Sequence, residues 1–333
     1  MARRLNLFWI ALFALACARP LASAQNCQTS GELDDATRSS IMAAAHGYFA
    51  AAAKGDAAAL RQNSIASLAT DFSAIEMTVK DHEQELAGGQ PTLRSLFWLE
   101  AEGNSPIPHA EFYCGVFGKT GQTAGSAEFF LDNLPPGKYA AVILDNASPQ
   151  SRATFSAILQ QAGNDWKLGN LYIKATQVTG HDGDWFAARA REYKAKGQLH
   201  NAWLFYLEAR SLVSPFPFMS TQATDKLYDE MTSIQPADVP ANGKTAAFAA
   251  GAATYTLTAF FPEGVGNSLD LVVKYQAADV SNTNLANENN RALMKALVAK
   301  YPELRDPFAA IVVRAVEPSG HDFGTLLAMK DIK

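Results

Sequence analysis

Six histidines, three cysteines and a scatter of acids are the groups in this 333-residue sequence equipped for chemistry. His46, His82, His109, His181, His200 and His321 stand far apart. No two are spaced i, i+4, and neither HExxH nor CxxC occurs, so the usual spacings of zinc ligands are missing. His46 lies one turn before Phe49 in a helical stretch, and imidazole is the side chain whose charge changes near neutrality. His109, between Pro108 and Ala110, reads as a loop residue. His181-Asp182-Gly183-Asp184 looks like a cation loop but lacks the third acid and the downstream Glu of an EF-hand. It reads instead as a turn that caps the helix of Trp185. Gly115 to Gly125 fits neither GxxxxGK[ST] nor GxGxxG and opens no helix, so it reads as a hairpin turn. No GxSxG elbow occurs, and a Ser-His-Asp set drawn from so long a chain has no weight without geometry. Glu100 and Glu102, two apart, fall on one side of a strand and read as solvated acids. No cofactor is implied.

The cysteines bear on compartment. Arg3 and Arg4, the apolar run Leu5 to Ala16 and the small-residue site Ala22-Ser23-Ala24 are ordered as in a cleavable secretory signal over residues 1–24, leaving Gln25 first. The apolar run is shorter than the ~20 residues of a membrane span. Ala14-Leu15-Ala16-Cys17 is a loose lipoprotein pattern, which would place a lipid anchor on Cys17. The expected location is periplasmic or extracellular. Cleavage would leave Cys27 and Cys114, and an oxidising compartment permits one disulfide between them; two separate thiols are the other reading. Losing Arg3, Arg4 and Arg19 takes the formal net charge from −5 by three further units to −8. That argues against nucleic acid, which needs a cationic footprint. With 48% apolar and 18% charged residues, the chain can bury a core. No later stretch is long and apolar enough to span a membrane.

The elements that would position these groups follow from periodicity. Residues 25–33 are polar and read as loose. A helix runs from Asp34 or Asp35 to about Lys54, with Ile41, Ala45, Tyr48 and Ala52 on one face. Gly55 ends it and Asp56 caps the next. A third helix covers about 70–86, with Phe72, Ile75, Met77 and Val79 as apolar points, and Gly88-Gly89-Gln90-Pro91 breaks it. The period then shortens. Strands are expected over 111–117, 126–131, 138–144, 155–161 and 166–175, with turns at Lys119-Thr120-Gly121, Pro135-Pro136-Gly137 and Gly163-Asn164-Asp165.

Tyr48-Phe49, the Lys54-Gly55-Asp56 junction with Leu60, the order of helices before sheet, and the closing pair with Trp166 opening its last strand together resemble the nuclear transport factor 2-like (SnoaL-like) cone fold. The resemblance covers about residues 33–178. It implies helices packed on a curved antiparallel sheet around a cavity. In such a cone His46 would point inward beside Asp71 or Asp81 as an acid/base. Phe97, Trp98, Tyr113, Phe130 and Tyr139 would line the cavity, with Trp98, Tyr113, Phe130 and Tyr139 as ligand-binding candidates; the other reading is that they are core. That superfamily holds both enzymes and binding domains, so the fold confers no function.

Region 179–233 reads as helical. Phe186, Ala190 and Tyr193, then Ala202, Tyr206 and Ala209, flank Gly197 and resemble a single tetratricopeptide-type hairpin over about 182–215. No second copy follows, and such solenoids need about three. A short helix is expected at 224–231. Residues 234–252, with Pro236, Pro240, Gly243 and Gly251, read as a linker. Residues 253–333 form a ββαββ unit: strands at 255–261 and 269–275 around Pro262-Glu263-Gly264, a helix from an Asn284 cap to Tyr301, and strands at 309–316 and 323–329. The expected class is α+β. Three functions compete: a non-catalytic exported protein that binds a small apolar ligand or a protein partner, an NTF2-like enzyme, and an envelope assembly factor.

Overall fold

The computed structural model describes residues 25–117, 121–147 and 152–333. Residues 1–24, the segment expected to be a signal, with Cys17, and the Lys119-Thr120 turn lie outside the described residues. The chain is α+β. Its first part runs β1 (Asn26–Thr29), α1 (Asp35–Ala52), α2 (Ala57–Gln62), α3 (Ala66–Thr70), α4 (Ser73–Leu86), β2 (Gln90–Ala101), β3 (Ile107–Cys114), β4 (Ala127–Leu134), β5 (Gly137–Ala147), β6 (Arg152–Ala162) and β7 (Asp165–Ala175). Then come the small pair β8 (Gln177–Val178) and β9 (His181–Asp182), α5 (Gly183–Ala195), α6 (Leu199–Val213), β10 (Met219–Ser220) and α7 (Gln222–Thr232). The last part is β11 (Ala246–Ala250), β12 (Ala253–Val265), β13 (Ser268–Gln276), α8 (Thr283–Lys300), β14 (Phe308–Val316) and β15 (Asp322–Ala328).

An antiparallel sheet in the order β1-β2-β5-β6-β7 is the frame of the first part. Side chains alternate across a strand, and here both faces are apolar. On one face Leu96, Val142, Leu144, Phe155 and Leu159 meet Ile41, Ala45 and Phe49 of α1 and Ile75 and Val79 of α4. On the other, Phe97, Leu99, Tyr139, Ala141 and Ile143 meet Phe112 and Phe129 of a second sheet, ordered β10-β4-β3. Phe216 and Met219, from the segment after α6, complete that second core. The structure therefore has a covering sheet where the cone resemblance has none.

Several expectations change. Residues 25–33 are not loose: β1 pairs with β2, Cys27 is bonded to Cys114 across 87 residues of sequence with Cα atoms 5.1 Å apart, and Glu32 accepts from the Thr29 amide and hydroxyl. The bond ties the edge of one sheet to the edge of the other, and closing so long a loop contributes about 4.6 kcal/mol in the chain-entropy picture. The third helix is divided into α3 and α4 around buried Phe72, and Met77 faces outward. Strand β2 was not foreseen at all. Phe130 is neither core nor cavity lining: alternation on β4 turns Phe129 inward and leaves Phe130 45% exposed.

The hairpin forms as expected, with Gly197 at φ 74° in its turn. Gly183 is required at the other end, because a Cβ there would stand 2.6 Å from Val213 Cγ1 and 3.0 Å from the Ala209 carbonyl. The hairpin is not separate from the C-terminal unit: Phe186, Phe205, Leu257, Leu271 and Leu297 share one core. Residues 234–252 are accordingly no linker. Ile234, Val239 and Phe248 are buried in that core, and β11 adds an edge strand to the sheet β11-β12-β13-β14-β15. Helix α8, capped by Asn282 rather than Asn284, crosses between the parallel strands β13 and β14. Strand β12 runs through Pro262, which pairs with Leu271 beyond the reach of β11, so on one side of it no partner strand requires an N–H.

The two halves meet at Lys174, on β7. Its ammonium donates to the Ser211 and Ser214 carbonyls, 2.8 and 3.0 Å away, at the C-terminus of α6. Beside it the Glu208 carboxyl is pushed up to about 7, chiefly by burial, with Glu263 adding to the shift and Lys174 opposing it.

Two outcomes are expected. Phe129→Ala should cost about 3–5 kcal/mol in denaturant unfolding, and Phe130→Ala about 0.5 kcal/mol; equal losses would contradict the strand orientation. For Glu208 the folded pKa lies above the unfolded value. Its contribution is whole below about pH 4.5 and is lost as pH rises through about 7, up to about 3 kcal/mol at 1.36 kcal/mol per pH unit. Glu208→Gln should therefore flatten the fall in stability between pH 5 and pH 8, and an unchanged slope would show that the carboxyl is not buried as described.

Candidate functional site

The residues singled out from sequence do not converge. His46 is exposed on α1, and Asp71 and Asp81 are exposed beyond α3 and on α4; the inward-pointing acid/base reading of His46 is corrected. Trp98 and Tyr139 lie on opposite faces of the five-stranded sheet, because Trp98 pairs with Ala140 and Leu99 with Tyr139. Tyr139 is buried against the second sheet and its hydroxyl donates to the Pro135 carbonyl at 2.7 Å. Tyr113 is half-buried on β3, donates to Glu111 Oε2 at 2.6 Å and lies 5.5 Å from the Phe117 ring. No single cavity can hold the four aromatics. Cys27 and Cys114 are brought together, as one of the two readings had it.

Trp98 is the member that reaches a recess. Strand register sets Gln28 of β1 beside it, and Lys138 of β5 and Gln161 of β6 lie one row beyond, toward Trp166 of β7. Helix α1 begins over this corner. Asp34 caps it by accepting from the Thr37 amide at 2.8 Å, and that bond holds its carboxyl below the usual range. The helix start thus leaves Trp98 half-buried while the rest of the sheet face is sealed. The recess measures about 300 Å³ and is walled by Gln28, Asp34, Thr37, Lys138, Gln161 and Trp166. The Lys138 ammonium stands 5.7 Å from the Trp98 ring centroid, within reach of a cation–π contact.

Trp166 is the fixed wall. Its indole donates to Ser40 Oγ at 3.1 Å, and the Tyr48 hydroxyl donates between the Trp166 and Asn63 carbonyls at 2.8 and 2.9 Å. On the far side of Trp166 a second recess of about 590 Å³ runs along Ala43, Gly47 and Ala51 of α1. The arrangement offers an aromatic floor, one ammonium, one carboxylate, two amides and hydroxyls. It can orient a small polar molecule but brings no nucleophile against a base.

The densest titratable cluster lies elsewhere. Asp238 is met by His200 Nε2 at 3.0 Å, by Lys300 Nζ at 3.2 Å and by the Tyr301 hydroxyl. Burial alone would raise its pKa, but the Tyr301, His200 and Lys300 donors outweigh it and hold the carboxyl at about 2. His200 Nδ1 is 3.5 Å from Glu303, and its ring lies 3.9 Å from that of Tyr301. Asp238 belongs to the segment read as a linker, so these bonds clamp that segment onto α6 and α8. His200, Lys300 and Tyr301 all direct a hydrogen bond to the Asp238 carboxylate.

Sequence reasoning missed Gln28, Lys138 and Gln161 because each is an ordinary polar residue near a strand end. Their common face emerges only from the register of β1, β2, β5 and β6. Among the described residues no helix is long and apolar enough to cross a membrane, and no group of three acids, histidines or cysteines is placed to hold a metal ion. The chain matches no family model, no curated protein and no solved structure.

Proposed function

We propose that this is an exported, non-catalytic binding protein that holds a small polar ligand in the recess around Trp98. One observation carries the reading: an indole is left half-buried on a sheet face otherwise sealed by helices, and polar groups of both signs surround it. Sites for small molecules combine apolar contact with a few placed polar groups in this way. The apolar ligand first expected is replaced by a polar one, because the walls are amides, hydroxyls and charges.

Export is supported by the order of charge, apolar run and small residues over 1–24, and by the Cys27–Cys114 bond, which an oxidising compartment maintains. That bond also serves the recess, since it fastens the strand that supplies Gln28. The NTF2-like reading of residues 33–178 is supported by helices that precede an antiparallel sheet and cover one of its faces. It does not account for the sheet on the other face.

The test is native mass spectrometry of the protein secreted by an export-competent host. The chain should begin at Gln25 and carry a small-molecule adduct, which Trp98→Leu and Lys138→Ala should each lose while keeping a wild-type circular dichroism spectrum. A folded wild type without an adduct, or an adduct kept by both variants, would overturn the reading.

A further inference from the structure

A third recess, distant in sequence from Trp98, is formed where α5 faces the ends of β13 and β14. Helix α5 turns Phe186, Ala190 and Tyr193 into the core. Trp185 is one position off that face and is 38% exposed. Its packing leaves more than a third of the side chain open to solvent. The rest of the ring is held in place: the His181 imidazole stacks on it at 3.7 Å between centroids and 7° between planes, Phe186 meets it edge-on at 5.0 Å, and Phe205 lies 6.2 Å away. The β8–β9 turn delivers His181 through Thr179 and Gly180, both at positive φ.

Around this platform is a recess of about 400 Å³, within the ~300–1,000 Å³ of small-molecule sites. Arg189, one turn after Trp185, lines it, with Asn267, Ser268 and Asp306 from the opposing strand ends. Arg189 donates to Glu192 at 2.5 Å and lies over the Tyr193 ring, which fixes its guanidinium at the rim.

These groups select a chemistry by elimination. An anion would face Asp306 and a cation would face Arg189, so neither charge is favoured. A flat apolar molecule could meet the aromatic lining of Trp185, Tyr193 and Phe205 but would leave Arg189, Asn267, Ser268 and Asp306 without partners. A neutral polyol suits all of it. Each hydroxyl both donates and accepts, matching a donor-only guanidinium, an acceptor-only carboxylate and an amide that does both. The C–H face of a sugar ring suits the surface of a large aromatic side chain. We infer that the Trp185 recess is a saccharide-binding site, with Trp185 and His181 as the platform and Arg189, Asn267 and Asp306 as the hydroxyl-reading groups.

Isothermal titration calorimetry with cellotetraose, maltotetraose and chitotetraose, alongside tryptophan fluorescence, tests this. At least one of the three should bind and shift the emission. Trp185→Ala should weaken that binding by about tenfold or more, at least ~1.4 kcal/mol, while Leu326→Ala, an exposed apolar residue on β15, should leave it unchanged. Asp306→Asn, which leaves the aromatic packing intact, should also weaken it and guards against misfolding of the first variant. Absence of heat with all three sugars, or binding that survives both recess variants, would overturn the assignment.

Discussion

A strand buried on both faces cannot stand alone, and β5 is such a strand: every residue from Tyr139 to Leu144 is removed from solvent. Its even and odd positions are equally apolar, so two separate covers are needed. The helices α1 to α4 supply one and the β10-β4-β3 sheet the other. The second cover recruits Phe216 and Met219 from beyond the hairpin, which binds the C-terminal half to the N-terminal half through the same requirement. Each buried aromatic on these faces is worth a large part of a stability of about 5–15 kcal/mol, so neither cover is dispensable.

Elements whose period is uninterrupted were legible in the sequence. The α1 face of Ile41, Ala45, Tyr48 and Ala52 is the buried one, and the hairpin around Gly197 and the pair β6–β7 lie where their spacing puts them. Strand β2 was hidden for two local reasons. It opens on Gln90-Pro91, directly after a Gly-Gly break, and a register shift between Leu93 and Ser95 disturbs its alternation. Missing β2 also misplaced the aromatics, because the parity that parts Trp98 from Tyr139 is invisible until both strands are known. Strand β11, Ala-rich and flanked by glycines, carries one large apolar residue, Phe248, and is ordered by the sheet it joins.

Histidine placement carries a related lesson about chemistry. The imidazole in the most elaborate polar surroundings, His200, is part of a clamp, and the one first considered for acid/base work, His46, is out in solvent. Trp185 was the more telling residue, a large apolar side chain one step off the apolar stripe of its own helix. A residue that breaks the pattern of its element and stays partly open to solvent is where function is most profitably sought.

The Cys27–Cys114 bond has a mechanical consequence. Tension applied between the two ends of the chain passes from Cys27 directly to Cys114 and bypasses everything between them. The 87-residue separation corresponds to about 300 Å of extended chain at ~3.5 Å per residue, and that length carries no load while the bridge is intact. Helices α1 to α4 and strand β2, which include the floor of the Trp98 recess, lie inside the shielded loop. A pull transmitted along the chain would load the strands after Cys114, so Gln28, Asp34, Thr37 and Trp98 are held within the shielded loop while Lys138, Gln161 and Trp166, the other side of the same recess, stand on the loaded side.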